Sequence, residues 1–245
     1  WKGKFGNNPN SLLKNNGNGT FTDVTKESGL LAFHPSQTAT WADFNNDGWL
    51  DVFIGNETTP NEEAHPCQLF INNRNGTFTD MAKKAGCALT EFVKGVTSGD
   101  YNNDGLADIF VSTLNGKKIL LKNESVKGGA IKFSDVSKQA GLSSNMTRTF
   151  PTWFWDYDND GWLDVLLAGD GVRVWRNKGS AGFEEQTAAL GLDKIKTTVI
   201  SLVSAADFDR DGDTDLLLAK ETGGLQLLSN EGGNANGQVK INLIG

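Results

Sequence analysis

Short apolar runs recur along the chain, and each of them directly follows a polar loop. They are Val-Phe-Ile at 52–54, Ile-Phe-Val at 109–111, Val-Leu-Leu at 165–167 and Leu-Leu-Leu at 216–218. Continuous apolar runs of this length are typical of strands that are buried on both faces. The pattern therefore predicts an all-β chain with one fully buried strand in each repeating unit.

Two further strands follow each buried strand in the same order. The apolar segment 69–73, which ends in Asn, is followed by a glycine turn and by the segment 76–81. Equivalent pairs occur at 12–16 and 19–24, at 119–123 and 133–136, at 172–177 and 183–185, and at 225–230 and 238–244. Together with the strand before the polar loop, each unit therefore predicts four antiparallel strands.

The repeat length indicates the architecture. The polar loops begin 57, 56 and 51 residues apart, and four antiparallel strands per repeat of this length are typical of a β-propeller blade. Blades stack face to face, which explains a second strand that is apolar on both sides. We predict a single β-propeller domain, or part of one, with half a blade at about 1–30 and blades at about 31–85, 86–140, 141–190 and 191–245.

The polar loops have the composition of calcium sites. The first reads Asp-Phe-Asn-Asn-Asp-Gly-Trp-Leu-Asp at 43–51, and its copies lie at 100–108, 156–164 and 207–215. Acid or amide oxygens recur at positions 1, 3 and 5 and a carboxylate at position 9, and Ca²⁺ takes about 6–8 oxygen ligands. Glycine at position 6 permits a left-handed turn. We predict about four Ca²⁺ ions, each in a loop between the first two strands of a blade.

The predicted ligands are the side chains at positions 1, 3, 5 and 9 and the backbone carbonyl at position 7. They are Asp43, Asn45, Asp47, Trp49 and Asp51; Asp100, Asn102, Asp104, Leu106 and Asp108; Asp156, Asp158, Asp160, Trp162 and Asp164; and Asp207, Asp209, Asp211, Asp213 and Asp215. An EF-hand has Glu at position 12 and flanking helices, whereas position 12 is apolar in these loops. The alternative is that each loop is only a turn, but four copies in one phase favour a metal site.

The aromatic residue at position 2 of each loop alternates with the predicted ligands. These residues are Phe44, Tyr101, Tyr157 and Phe208. We interpret them as side chains that pack between blades, with a platform for a sugar or a cofactor as the alternative. Trp49 and Trp162 lie within the loops and are candidates for a contact surface.

Charge and hydropathy restrict the partners. A net charge of −7 argues against a nucleic acid, and no stretch approaches the roughly 18–20 apolar residues of a membrane span. Much of the negative charge lies in the predicted calcium loops, so bound Ca²⁺ would reduce the self-repulsion of the chain. The chain opens on Trp1, without Met or a signal peptide, which we interpret as a piece of a longer, processed protein.

The two cysteines, Cys67 and Cys87, flank a predicted antiparallel strand pair. Cys67 starts one strand and Cys87 follows the end of its partner, so both fall at the same end of the hairpin. This placement predicts a disulfide between Cys67 and Cys87, with two buried free thiols as the alternative.

The combined motifs resemble the FG-GAP/VCBS repeat family. They are Leu-x-x-Asn-Asn-Gly-x-Gly-Thr-Phe-Thr-Asp-Val-Thr at 12–25, Ser-Gly-Leu at 28–30 and Trp-Ala-Asp-Phe-Asn-Asn-Asp-Gly-Trp-Leu-Asp-Val-Phe at 41–53. The likeness spans nearly the whole chain. Within the family, the chain is similar to ASPIC/UnbV-type proteins and, more distantly, to the integrin α-subunit head. Residues 234–245 resemble the stretch that leads into the ASPIC module.

The resemblance implies a calcium-loaded β-propeller, usually of seven blades, on secreted or cell-surface proteins concerned with adhesion and extracellular binding. This chain has too few blades for seven and begins within a blade. We therefore expect the rest of a longer propeller protein to complete it, with a small five-bladed ring as the alternative. A secreted, cell-surface or periplasmic location follows from the resemblance.

Catalytic constellations are sparse. His34 and His65 are the only histidines; they lie far apart in the repeat scheme, and we interpret them as surface or loop residues without companions for a zinc site or a Ser-His-Asp triad. The favoured hypothesis is a non-catalytic, calcium-binding scaffold for an extracellular protein or glycan. The alternative is a calcium-dependent carbohydrate-active enzyme, a lyase or hydrolase, although no carboxylate pair stands apart from the predicted calcium ligands.

Overall fold

The computed structural model describes residues 9–59, 63–142, 148–195 and 199–232. The predicted strand at 238–244 and the segment 234–245 lie outside the described residues. The strands in the described part are β1 (Leu13–Asn15), β2 (Phe21–Asp23), β3 (Ser36–Ala42), β4 (Asp51–Asn56), β5 (Gln68–Asn72), β6 (Phe78–Asp80), β7 (Val93–Gly99), β8 (Asp108–Thr113), β9 (Lys118–Asn123), β10 (Phe133–Asp135), β11 (Thr149–Trp155), β12 (Asp164–Gly169), β13 (Gly171–Asn177), β14 (Phe183–Glu185), β15 (Ile200–Ala206), β16 (Asp215–Lys220) and β17 (Leu225–Leu228).

Helical segments are short. Among the residues that the structure describes, they comprise α1 (Ala82–Ala85) and two 3₁₀ turns, Gly179–Ala181 and Leu192–Lys194. Within the described ranges, therefore, no helix has the length and apolar character needed to cross a membrane.

The strands pair with their sequence neighbours, and every sheet is antiparallel. Strands β3 to β6, β7 to β10 and β11 to β14 form three four-stranded sheets in chain order, flanked by the hairpin β1–β2 and by the three-stranded sheet β15 to β17. The prediction of an all-β chain with four-stranded antiparallel sheets is thereby confirmed.

The second strand of each four-stranded sheet is the most deeply buried. Strands β4, β8 and β12 are buried along their whole length, as the apolar runs predict. Each begins with the aspartate that ends a polar loop, so a carboxylate is carried into the interior at the first residue of a buried strand. In β16 the pattern differs, because Leu217 is 38% exposed.

Apolar clusters join successive sheets in series. Along a strand, alternate side chains face opposite sides of the sheet. Ile109 and Val111 of β8 accordingly share a cluster with the preceding sheet, whereas Phe110 shares one with the following sheet. Phe53 in β4 and Leu166 in β12 likewise belong to clusters shared with the sheet that follows them. The core is therefore a set of layers between stacked sheets.

The first strands of successive sheets lie side by side, β3 next to β7 and β7 next to β11. Gly95 in β7 permits the closest approach, since a Cβ atom there would lie 2.4 Å from the carbonyl oxygen of Phe150. Between β3 and β7, the hydroxyl groups of Thr40 and Ser98 share a hydrogen bond of 2.7 Å. Small and hydroxyl-bearing residues thus allow the sheets to converge along this edge.

The two cysteines correct one expectation from the sequence. Cys67 and Cys87 are free thiols in the structure, and both are buried in the cluster between the sheets β3–β6 and β7–β10. The Cys87 thiol donates a long hydrogen bond of 3.7 Å to the carbonyl oxygen of Ala82. Burial raises the pKa of Cys67 to about 11 and that of Cys87 to about 12, so both side chains behave as small, protonated core residues.

Candidate metal centre

The four polar loops share one backbone conformation. They connect β3 to β4, β7 to β8, β11 to β12 and β15 to β16. Positive φ angles recur at position 4, in Asn46 (58°), Asn103 (56°), Asn159 (53°) and Arg210 (66°), and at position 6, in Gly48 (90°), Gly105 (84°), Gly161 (86°) and Gly212 (105°). Left-handed backbone costs glycine little and is tolerated by asparagine, so the structure explains glycine at position 6 and asparagine at position 4 of the first three loops, whereas Arg210 departs from this preference in the fourth.

The carboxylate at position 1 organises the loop. In the first loop, Oδ1 of Asp43 accepts the backbone N–H of Asp47 at 2.9 Å, and Oδ2 accepts that of Gly48 at 2.7 Å. At position 5, Oδ1 of Asp47 accepts the N–H of Trp49 at 2.9 Å. The two position-1 bonds recur in the second loop at 3.0 and 2.7 Å for Asp100, and in the third loop at 3.0 and 3.0 Å for Asp156. The position-5 bond recurs with the acceptors Asp104, Asp160 and Asp211. Backbone donors thus hold the predicted ligand side chains within each loop.

The aspartate at position 9 is buried and links the loop to the rest of its sheet. Oδ2 of Asp164 accepts the N–H of Tyr157 at 3.1 Å, and Oδ1 accepts the N–H of Asn177 in β13 at 2.6 Å. Asp51, Asp108 and Asp215 accept the equivalent pairs of N–H groups, from Phe44 and Asn72, from Tyr101 and Asn123, and from Phe208 and Asn230. Position 9 is therefore fixed by one backbone donor from its own loop and by a second at or just after the end of the third strand.

Burial and neighbouring charges perturb these carboxyl groups. Loss of hydration is the main cause that raises the pKa of Asp51 to about 6 and those of Asp108 and Asp164 to about 7. Nearby loop carboxylates, such as Asp104 for Asp108, raise the pKa further. A cation among these oxygens would relieve both penalties.

Two loops bring three carboxylates close enough to share one ion. Oxygen atoms of Asp156, Asp158 and Asp164 lie within 4.8 Å of one another, as do those of Asp207, Asp209 and Asp215. These are positions 1, 3 and 9, and in the first two loops position 3 carries an amide oxygen, that of Asn45 or Asn102. An all-oxygen donor set of this kind fits a hard divalent cation such as Ca²⁺.

Basic side chains contact the same loops. Arg176 lies 2.7 Å from Asp158 and 2.9 Å from Asp160, and Arg74 lies 2.9 Å from Asp47. Arg176 is the next-to-last residue of β13, and Arg74 lies two residues after the end of β5. Both therefore stand at the end of a third strand, next to the loop. They offset part of the loop charge, while the buried carboxylate at position 9 is left to backbone donors.

An asparagine at the end of the third strand connects neighbouring loops, and its role was missed from the sequence. The side-chain amide of Asn123 donates to the carbonyl oxygen of Ala107 in its own loop and to that of Phe44 in the preceding loop, both at 2.9 Å. Asn177 and Asn230 bridge successive loops in the same way. The signal was the Asn that ends the third-strand segment in every unit.

Position 4 makes a second link between loops. The amide of Asn46 donates to the carbonyl oxygen of Gly105 in the next loop at 3.2 Å, and that of Asn103 reaches Gly161 at 3.5 Å. In the third loop Asn159 donates to the carboxylate of Asp213 at 3.1 Å. Asp213, for which the sequence predicts only a carbonyl ligand, is fully buried there. The loops therefore form a connected row at one end of the strands of the stacked sheets.

The histidines correct a second expectation. His34 and His65, interpreted as separate surface residues, lie in contact, with their Nδ1 atoms 3.0 Å apart. Their rings meet edge to face, with centroids 5.3 Å apart. Contact between segments 31 residues apart depends on the path of the chain between β4 and β5, which the repeat scheme does not reveal.

Known proteins share this sequence pattern. A family model described as FG-GAP-like repeat matches residues 5–54, 43–111 and 156–239. Cartilage acidic protein 1 of Mus musculus is 29% identical over 223 residues, and that of Homo sapiens is 28% identical over 229 residues. These alignments cover 86% and 87% of this chain but 33% of each relative, so the chain spans about a third of the length of the curated relatives that it matches.

Proposed function

Because the chain belongs to the FG-GAP-like repeat family, we propose that it forms part of a calcium-loaded β-propeller that acts as a non-catalytic extracellular scaffold. Its ligand would be a protein or a glycan, and its role adhesion or ligand binding. The observation that carries the proposal is the loop structure repeated four times, with the same φ signs and the same position-9 hydrogen bonds in each sheet.

Calcium would be held by the side chains at positions 1, 3, 5 and 9 and by the carbonyl at position 7 of each loop, about four ions in all. The two carboxylate triads support this assignment in the third and fourth loops. In the first and second loops the equivalent position-9 carboxyls, Asp51 and Asp108, are fully buried. Bound Ca²⁺ would supply the positive charge that these sites lack and would fix the row of loops as one rigid edge.

The exposed face of the last sheet supports a propeller with further blades. Leu217 in β16 is 38% exposed, whereas the equivalent Phe53, Phe110 and Leu166 are fully buried against the next sheet. Phe208 is likewise 70% exposed, although position 2 of the other loops joins the inter-sheet clusters. A further sheet of the same kind fits this face.

The stacking of sheets also supports the proposed division into half a blade and four blades. The hairpin β1–β2 falls within about 1–30, and the four larger sheets fall within about 31–85, 86–140, 141–190 and 191–245. Connections between loops cross these boundaries, so the units would unfold together rather than as separate domains.

A polysaccharide and matrix-protein panel in the presence of Ca²⁺ would test the scaffold. Saturable binding without release of products, lost when Ca²⁺ is chelated, is the expected result. Turnover of a polysaccharide by the purified chain, abolished by replacing an acid outside the loops such as Glu185, would instead favour a carbohydrate-active enzyme. Calcium titration by calorimetry tests the metal assignment separately, with a stoichiometry of about four expected.

A further inference from the structure

The two histidines of the chain meet at one end of the strands of the first four-stranded sheet, and the calcium loop lies at the other end. His34 precedes β3 and His65 precedes β5, whereas the polar loop follows β3. Their Nδ1 atoms are 3.0 Å apart and both side chains are half-buried. Two nitrogen ligands are thereby placed side by side, away from the all-oxygen loops.

A buried asparagine fixes both histidine-bearing segments. Asn56, at the end of β4, accepts a hydrogen bond from the Ser36 hydroxyl at 2.7 Å and donates to the carbonyl oxygen of Pro66 at 2.7 Å. Ser36 lies two residues after His34, and Pro66 directly follows His65. The side chain of Asn56 therefore spans the gap between the two segments.

The residues after β4 reinforce this arrangement. The backbone N–H of Glu57 donates to the carbonyl oxygen of Pro35 at 2.9 Å. The hydroxyl of Thr58 accepts the N–H of His65 at 2.9 Å and donates to its carbonyl oxygen at 3.0 Å. The backbone on each side of the histidine pair is thus held by the same strand end, so the pair is positioned before any ligand arrives.

We propose that His34 and His65 form a binding site for a divalent transition ion of the zinc class, with Glu63 as a third ligand. Two nitrogens on one tetrahedral zinc, each at about 2.0–2.1 Å, are about 3.3–3.4 Å apart. The observed 3.0 Å therefore requires a small opening of the pair, together with a rotation of the rings that turns both nitrogen lone pairs from each other toward one ion. Imidazole nitrogen suits zinc, whereas Ca²⁺ takes oxygen ligands, so the two kinds of site select different ions.

The carboxylates near the pair differ in availability. Burial and the neighbouring His65 lower the pKa of His34, and the charge of Asp80 opposes this shift. Oδ1 of Asp80, however, accepts N–H groups of Leu69 and Ala82, and its Oδ2 accepts the Gln68 amide. Glu63 also acts on His34 and is exposed, two residues before His65. Because it is exposed and close in sequence to His65, Glu63 is the carboxylate assigned as the third ligand, and water would complete the coordination.

Zinc titration of the full chain by calorimetry, in excess CaCl₂ to saturate the loops, tests the site. One Zn²⁺ per chain is expected, and His34→Asn and His65→Asn should each weaken its affinity at least about tenfold, because each removes one of two nitrogen ligands. Cys67→Ala is the matched control, since it removes the nearest zinc-binding thiol in sequence and should leave zinc affinity unchanged.

Thermal unfolding in Ca²⁺ shows whether the variants fold. Histidine variants that melt like the parent chain and lose zinc binding support the site. Parent chain that binds no Zn²⁺, or histidine variants that bind it as tightly as the parent chain, would overturn the proposal and leave the 3.0 Å contact as a hydrogen bond between imidazoles. Loss of binding only in Cys67→Ala would also overturn it, since the thiol would then be the ligand.

Discussion

Replacing Asp164 with Asn perturbs one metal site while keeping the size of the side chain. Asp164 is fully buried, and both of its oxygens accept backbone N–H groups, from Tyr157 and Asn177. The substitution exchanges one acceptor for an NH₂ group, which then faces an N–H donor. It also removes one carboxylate from the triad with Asp156 and Asp158.

Two effects on stability follow from these contacts. A buried N–H group left without its acceptor costs about 1–3 kcal/mol, and removing a buried charge offsets part of this cost when no metal is bound. At a Ca²⁺ concentration about 100 times the Kd, binding at one site adds about 2.7 kcal/mol to the free energy of unfolding. The variant should therefore be destabilised more in calcium than in chelator, by about that amount.

Urea denaturation of both proteins in saturating CaCl₂ and in EGTA measures the difference directly. Asp193→Asn is the matched control, because Asp193 is exposed and lies outside the four loops; it should leave the calcium-dependent stabilisation unchanged. If Asp164→Asn gained as much stability from calcium as the parent chain does, Asp164 would not be a ligand, and the assignment of position 9 in the third loop would be wrong.

Three further experiments, with five substitutions in all, test how the sheets and loops are joined. Asn177→Ala should lower the free energy of unfolding by about 2–4 kcal/mol in urea denaturation, because it removes the two amide hydrogen bonds that join adjacent loops and the acceptor of the Gly179 N–H. Gly95→Val should prevent folding, as judged by circular dichroism, since the added Cβ atom would lie 2.4 Å from a backbone oxygen of the next sheet. Gly232→Ala is the control and should fold normally, because a Cβ atom at Gly232 meets no atom within 4 Å. Phe208→Ser should change thermal stability little because Phe208 is 70% exposed. Phe44→Ala, at the equivalent buried position, should lower the free energy of unfolding by about 3–5 kcal/mol. A larger loss of stability in Phe208→Ser than in Phe44→Ala would contradict the inter-sheet packing.

The sheets and loops could be predicted because their determinants are local and repeated. The sign of φ at Gly48 and the burial of Val52 follow from the residue types and from their spacing within one loop and one strand. Four copies in the same phase separate a meaningful spacing from a chance cluster of polar residues. The sequence therefore indicates which strands pair and where each loop lies without any knowledge of the stacking.

Contacts between units could not be predicted in the same way. The bond from Asn123 to the carbonyl oxygen of Phe44 joins residues 79 positions apart, and it exists only because one sheet stacks on the next. The contact of His34 with His65 depends on the insertion between β4 and β5, which has no counterpart in the other units. Cys67 and Cys87 share a hairpin end, yet their place in the core is set by the neighbouring sheet.

The two ends of the strands in the first sheet hold different kinds of site, a calcium loop and a histidine pair, and the distance between these sites has a measurable consequence. The calcium loop follows β3 and the histidine pair precedes it, so the seven residues of β3 separate them by roughly 20 Å at about 3.3 Å per residue. Sites this far apart with no shared ligands contribute additively to stability. Stabilisation by zinc should therefore be the same in the parent chain and in Asp51→Asn, which alters position 9 of the first loop, while stabilisation by calcium should be the same in the parent chain and in His34→Asn. Coupling between the two ions would show that the strands between them change conformation when either site is filled.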